Sequence, residues 1–176
     1  VNDYLHKQEH SVEFMVMFLQ HALGGRDFRI LPVLCSGMAP SVVADASPAE
    51  DPRFRDFMQA LQKAISDRGE RACFIASADL AHLGPRYGDQ EKYAAIRMQE
   101  EEEADRSMLE PLFSGNKDEF FRVISAQRDR RKICGLPPIY STMTASEAQK
   151  AELLKWSYWF DGETYSVVTF ASMAVY

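Results

Sequence analysis

Two short apolar runs, "FRILPVLC" (28–35) and "ACFIAS" (72–77), most restrict how this chain can fold. Both are bounded by polar residues, as expected of strands buried on both faces, although Pro32 removes one ladder donor from the first. Between them lies "SGMAPSVVADASPAEDP" (36–52), read as a loop. Apolar residues then recur at Phe54, Phe57, Met58, Leu61 and Ile65, spacing that predicts a helix over 53–67, ended by Asp67-Arg68-Gly69. A crossover of this length lets successive strands run the same way. The expected class is therefore α/β, a mixed and mostly parallel sheet flanked by helices.

Further elements follow the same logic. "EHSVEFMVMFLQHALGG" (9–25) gathers His10, Phe14, Met17, Phe18 and His21 on one helical face and stops at Gly24-Gly25. Residues 91–110 read as a helix with Tyr93, Ile96 and Met108 inward and Glu100 to Glu103 as a solvated face. A second helix covers 117–128, and a third starts at Pro137 or Pro138, because proline suits the first turn. "ELLKWSYWFDGETYSVVTFASMAVY" (152–176) reads as two strands joined at Asp161-Gly162, an antiparallel C-terminal hairpin. At 176 residues, with no repeat or linker, the chain is expected to form a single domain over 1–176.

The formal charge is −6, and the basic residues are scattered apart from Arg128, Arg130, Arg131 and Lys132. No stripe for a phosphate backbone exists, which argues against nucleic acid as a partner. No apolar run is long enough to cross a bilayer and no basic-then-apolar leader is present, so no membrane partner and a cytoplasmic location are expected. Cys35, Cys73 and Cys134 are odd in number and far apart, which suits a reducing compartment.

Candidate chemistry gathers at two places. In "SADLAHLG" (77–84), Ser77, Asp79 and His82 lie where the second apolar run should end, and ligands of open α/β sheets bind beyond strand C-termini. An aspartate beside an imidazole fixes its tautomer and raises its basicity, a combination suited to proton transfer. A loop histidine with Asp79 capping a turn is the alternative. In "RRKICGLPPI" (130–139), Cys134 follows basic residues and precedes a helix start, and both favour thiolate. A small buried residue beside a turn glycine is the alternative there. His10 and Glu13, one turn apart, are either a ligand pair or the polar edge of a packed helix. G-x-S-x-G, Walker, G-x-G-x-x-G, H-E-x-x-H and C-x-x-C patterns do not occur.

Taken in order, "EHSVE" (9–13), "SADLAHLG" (77–84) and "ICGLPPI" (133–139) resemble the Memo family, which includes the protein B of AmmeMemoRadiSam systems. The resemblance runs from about Glu9 to the end. It departs from the family pattern at Leu80, Leu83 and Met17, where aromatics and a proline are usual. It implies a fold like the class III extradiol dioxygenases and a pocket related to their non-haem iron site. There it places His82 as an acid/base or hydrogen-bonding histidine, Asp79 in support, Cys134 as a thiolate metal ligand, and His10 with Glu13 near the pocket.

Two further pocket histidines of the family lie in an earlier half of the domain, so the chain is expected to be a C-terminal portion lacking its N-terminal half. On that reading iron or copper is the cofactor of the complete domain, and none is expected to be held tightly by this chain alone. The resemblance implies a protein or peptide partner and a radical-SAM partner protein. The functions it leaves open are a metal or small-ligand pocket, a non-enzymatic peptide- or protein-binding module, and a ring-cleaving dioxygenase.

Overall fold

A computed structural model describes residues 3–35 and 38–176. In chain order the helices are α1 (Ser11–Leu23), α2 (Ala39–Ala44), α3 (Pro52–Arg68), α4 (Met98–Leu109), α5 (Lys117–Ala126) and α6 (Leu136–Ser146). The strands are β1 (His82–Leu83), β2 (Ala151–Asp161) and β3 (Ser166–Val175). Local chemistry sets several of these boundaries. Asp51 accepts the N–H of Arg53 immediately before Pro52 and so starts α3, and Asn116 accepts the N–H of Glu119 to start α5. Proline in the first turn does the same for α6.

The core forms where α5 and α6 meet. Phe120, Phe121 and Ile124 of α5 pack with Tyr140 and Met143 of α6, and Val42 of α2 joins the same cluster. Tyr140 is fully buried, and its phenol donates to Asp118 at 2.6 Å and lies 3.2 Å from the Ser47 hydroxyl. The buried oxygen is thus satisfied, and its ring is free to pack against Phe54 and Phe121 at 5.6 and 6.2 Å.

The sheet has the order β1-β3-β2, antiparallel throughout. β2 and β3 pair from Ala151↔Val175 to Asp161↔Ser166, with one irregularity between Leu153 and Lys155. His82 and Trp159 both lie opposite Val168, so these three side chains share one face of the sheet. Trp156, one register step from that row's parity, turns to the other face and donates its indole N–H to Asp105 of α4 at 2.8 Å. The sheet therefore holds the helices on one side and carries His82 on the other.

The α/β class and the C-terminal hairpin agree with the sequence reading, but among the described residues the parallel part of the expected sheet is not formed. Residues 28–35 and 72–77 belong to no ladder, and the pairings of the described residues are antiparallel. Ile30, Leu31, Val33 and Ile75 are exposed as a result. A strand buried on both faces needs neighbours to take up its N–H and C=O groups, and no described strand flanks these runs.

Smaller corrections have equally local causes. Of the expected loop 36–52, Ser36 and Gly37 lie outside the described residues, and the remainder contains α2 and a 3-10 turn at Pro48–Glu50. In 91–110, a 3-10 turn at Ala95–Arg97 precedes α4, and its different pitch leaves Ile96 exposed rather than inward. Glu101, expected in the solvated face, is buried because Arg131 meets it. None of the described helices is long and apolar enough to cross a membrane.

Candidate functional site

His82 is not beyond a strand end but inside the short strand β1. The segment leading to it is laced to β3: Leu80 N–H donates to Thr169 C=O at 2.8 Å, Thr169 N–H to Ala81 C=O at 3.0 Å, and Ala81 N–H to Thr169 Oγ1 at 2.9 Å. Leu80, Ala81 and Leu83 are buried. With its neighbours held in this way, the backbone of His82 has little freedom.

The imidazole lies with Nδ1 3.3 Å from the carbonyl of Leu80 and Nε2 3.9 Å from Asp79 Oδ2. A carbonyl only accepts, so the ring proton of the neutral imidazole belongs on Nδ1 and the Nε2 lone pair points towards Asp79. The thiol of Cys134 donates to the main-chain carbonyl of Asp79 at 3.3 Å. One donor atom each from Asp79, His82 and Cys134 lies within 4.8 Å of the other two. Tyr87 closes one side, its ring edge-on to the imidazole at 4.9 Å.

Cys134 arrives on a tightly held turn. Arg128, Asp129 and Lys132 adopt positive φ (51°, 48° and 53°), a conformation that costs energy outside glycine. Three ties offset that cost. Asp129 accepts the N–H of Ile133 at 2.8 Å, Lys132 pairs with Asp89 at 2.6 Å, and Arg131 pairs with Glu101 and Asp105 at 2.8 and 2.7 Å. The other oxygen of Asp89 accepts the N–H of Gly84, and the carbonyl of Arg131 accepts the N–H of His82 at 2.9 Å. The turn and the His82 loop are in this way fastened to each other on both sides.

This fastening reverses the expectation that Cys134 favours thiolate. Cys134 is exposed at the surface, yet partial desolvation pushes its thiol up to about 11, and the negative charges of Asp79, Asp129 and Glu9 add to the effect against the opposing hydrogen bond at Asp79. The nearby cations give no help, because Arg131 and Lys132 are spent on Glu101, Asp105 and Asp89. Desolvation also raises Tyr87, with Asp79, Asp161 and Cys134 contributing through their charge. Burial raises Asp129 as well, against the pull of Ile133 N–H, Lys132 and His82.

Of the residues singled out in the sequence, Asp79, His82 and Cys134 are brought together. His10 and Glu13 face each other at 3.9 Å in solvent, outside that group. What links the start of α1 to the site is Ser77, whose hydroxyl donates to the carbonyl of Ser11 at 2.9 Å, and the charge of Glu9 felt by Cys134. Sequence reasoning missed Tyr87, Asp129 and Arg131. Tyr87 carries a usable signal, an aromatic set by Pro85 and Gly88 in a turn next to the histidine. No spacing rule marks Asp129 or Arg131.

These features define an α/β fold that presents a thiol, an imidazole and a carboxylate together beside a small antiparallel sheet. A family model described as "Memo-like protein" matches residues 1–174, and the chain belongs to the Memo family. A "MEMO1 family protein" of Methanosarcina mazei is 33% identical over 175 residues, covering 97% of this chain and 56% of the relative. One of Methanococcoides burtonii is 30% identical over 161 residues, covering 89% and 50%. Another, from Pyrococcus furiosus, is 26% identical over 190 residues, covering 99% and 59%. The chain spans between 50% and 59% of the length of these relatives.

Proposed function

We propose that Asp79, His82 and Cys134 are this chain's share of a pocket that binds a redox-capable metal or a small ligand. The observation that carries the reading is their mutual approach within 4.8 Å from segments far apart in sequence. The donor chemistry fits a transition metal. Imidazole and thiolate suit iron, copper or zinc, and the second nitrogen of a metal-binding histidine commonly donates to a carbonyl, as Nδ1 of His82 does to Leu80. Metal bonds of roughly 2.0–2.3 Å would require the donors to draw about 1 Å closer.

A metal bound here supplies Lewis acidity or electron transfer. The chain's own residues prepare that role. Leu80 sets the tautomer of His82, Asp79 offers a carboxylate that can ligate or accept a proton, and Cys134 must lose its proton to bind. Where the pocket holds a small ligand and no metal occupies Nε2, that nitrogen is the place at which His82 exchanges a proton with it. Ring cleavage of catechols ranks last among the uses of such a site, because its third ligand is a thiol rather than the usual carboxylate.

The test is titration with Co(II) and Fe(II), read by the thiolate-to-metal charge-transfer band. The expected result is a band that is abolished in Cys134→Ala and weakened in His82→Ala. Equal binding by wild type and Cys134→Ala refutes the reading.

A second reading, a module that grips a protein or peptide, draws on a different observation. Helix α1 has no buried residue, while Phe14, Met17 and Phe18 are exposed, as are Ile30, Leu31 and Val33. Exposed apolar side chains clustered on one helix face, as Phe14, Met17 and Phe18 are, mark interaction sites. Capture of a peptide or partner that is lost in Phe14→Asp but kept in Cys134→Ala favours it over the metal pocket.

A further inference from the structure

We infer that Arg131 is a positioning residue for the site, setting the place of His82 relative to Cys134 without touching a ligand. The inference rests on the pocket reading for its relevance and on separate geometry for its argument. Arg131 side chain and main chain face opposite ways. The guanidinium is divided between Asp105, which is fully buried, and Glu101, at 2.7 and 2.8 Å, and it also donates to the Glu101 carbonyl at 3.4 Å. The remaining oxygen of Asp105 accepts the indole N–H of Trp156 at 2.8 Å, so α4, the 128–135 turn and β2 all converge on one carboxylate.

On the main-chain side, the Arg131 carbonyl accepts the N–H of His82, and three residues further on Cys134 reaches the Asp79 carbonyl. The turn between has positive φ on both flanks of Arg131, at Asp129 and Lys132. A strained turn relaxes unless something over-determines it. Arg131 supplies that constraint because a planar fork held by two carboxylates fixes orientation as well as distance. A lysine reaches one carboxylate as a point charge and leaves the peptide plane free to rotate.

Amide hydrogen exchange and Co(II) titration on the whole chain test this. Arg131→Lys is the first variant. The second, which removes all three charges together, combines Arg131→Met with Glu101→Gln and Asp105→Asn. The expected result is exchange at the His82 amide faster by on the order of tenfold, with the Leu80 and Thr169 amides unchanged, because only a local opening has become easier. Co(II) affinity falls about 10- to 100-fold, as for loss of an outer partner of a metal ligand.

Unchanged exchange at His82 in a folded variant overturns the inference. So does equal acceleration at His82, Leu80 and Thr169, which reports lost stability alone. Should wild type bind no Co(II), the metal reading fails while the amide pattern still decides the role of Arg131.

Discussion

A Cβ placed on Gly135 would lie 2.5 Å from the carbonyl oxygen of Asp79, the same oxygen that receives the Cys134 thiol. Gly135 has an ordinary φ of −71°, so its requirement is space rather than conformation. The side chain of Ile139, 3.0 Å from that Cβ, can rotate away, but the Asp79 carbonyl precedes a stretch laced to β3 and cannot follow. Gly135→Ala must therefore move the Cys134 turn. The expected cost is about 1–3 kcal/mol, the usual penalty for overpacking, read from the urea midpoint. The thiolate-to-Co(II) band should weaken in the same variant. An alanine variant with wild-type stability and an unchanged band refutes this account.

Cys134 should behave as a reluctant nucleophile. Although the residue reaches the surface, partial desolvation and the charges of three nearby carboxylates push its thiol up to about 11. The thiolate fraction rises about tenfold per pH unit below that value, so alkylation and metal uptake both increase with pH across the neutral range. Iodoacetamide labelling at pH 7.5, resolved by peptide mass, should label Cys134 more slowly than an unperturbed peptide thiol. Asp79→Asn removes one of the opposing charges and should speed it. Faster labelling of wild-type Cys134 than of the peptide contradicts the assignment.

Asp89 links the two loops of the site by charge. Partial desolvation opposes ionisation, but Lys132 and the Gly84 N–H outweigh it and hold the carboxyl below its usual range. A depressed carboxyl contributes stability above its unfolded value, near 3.9, and loses it as pH falls through the lower folded value. The contribution therefore disappears only in acid, below about pH 4. Asp89→Asn should flatten the acid limb of the stability curve in that window and leave its slope above pH 5 unchanged. Circular dichroism during acid titration measures both limbs.

How much of this was legible beforehand depended on whether the signal was local. Helix α3 announced itself through apolar spacing, α6 through proline in its first turn, and the hairpin through Asp161-Gly162, whereas the caps Asp51 and Asn116 became visible only in the structure. His82, Asp79 and Cys134 were visible as reactive residue types beside turn glycines, and Gly135 explains why cysteine is followed by glycine. The parallel strands misled because an apolar run reports what a segment would bury, not whether neighbours are there. Arg131 was illegible for the opposite reason. In sequence it is one of four close cations, and only the fold shows that Glu101, read as solvated, turns inward to meet it.

The same contrast separates two ion pairs that look alike on paper, since α4 contributes to both. Asp105 has no exposed surface and uses both oxygens, one on Arg131 and one on Trp156. Asp105→Asn leaves Arg131 short of one charge and turns an amide N–H towards either a guanidinium or an indole donor, neither of which can accept it. Removing one partner of a buried pair typically costs about 3–5 kcal/mol. Glu102, one turn of α4 away, pairs with Arg106 at 2.7 Å, where Arg106 is exposed and Glu102 keeps about a third of its side chain in water. Glu102→Gln should therefore cost less than about 1 kcal/mol and the loss should shrink further in salt. Urea denaturation of the two variants, at low and high ionic strength, decides the matter. Equal losses would mean that the Asp105 cluster is as well hydrated as the surface, and the rigidity attributed to the Cys134 turn would have to come from elsewhere.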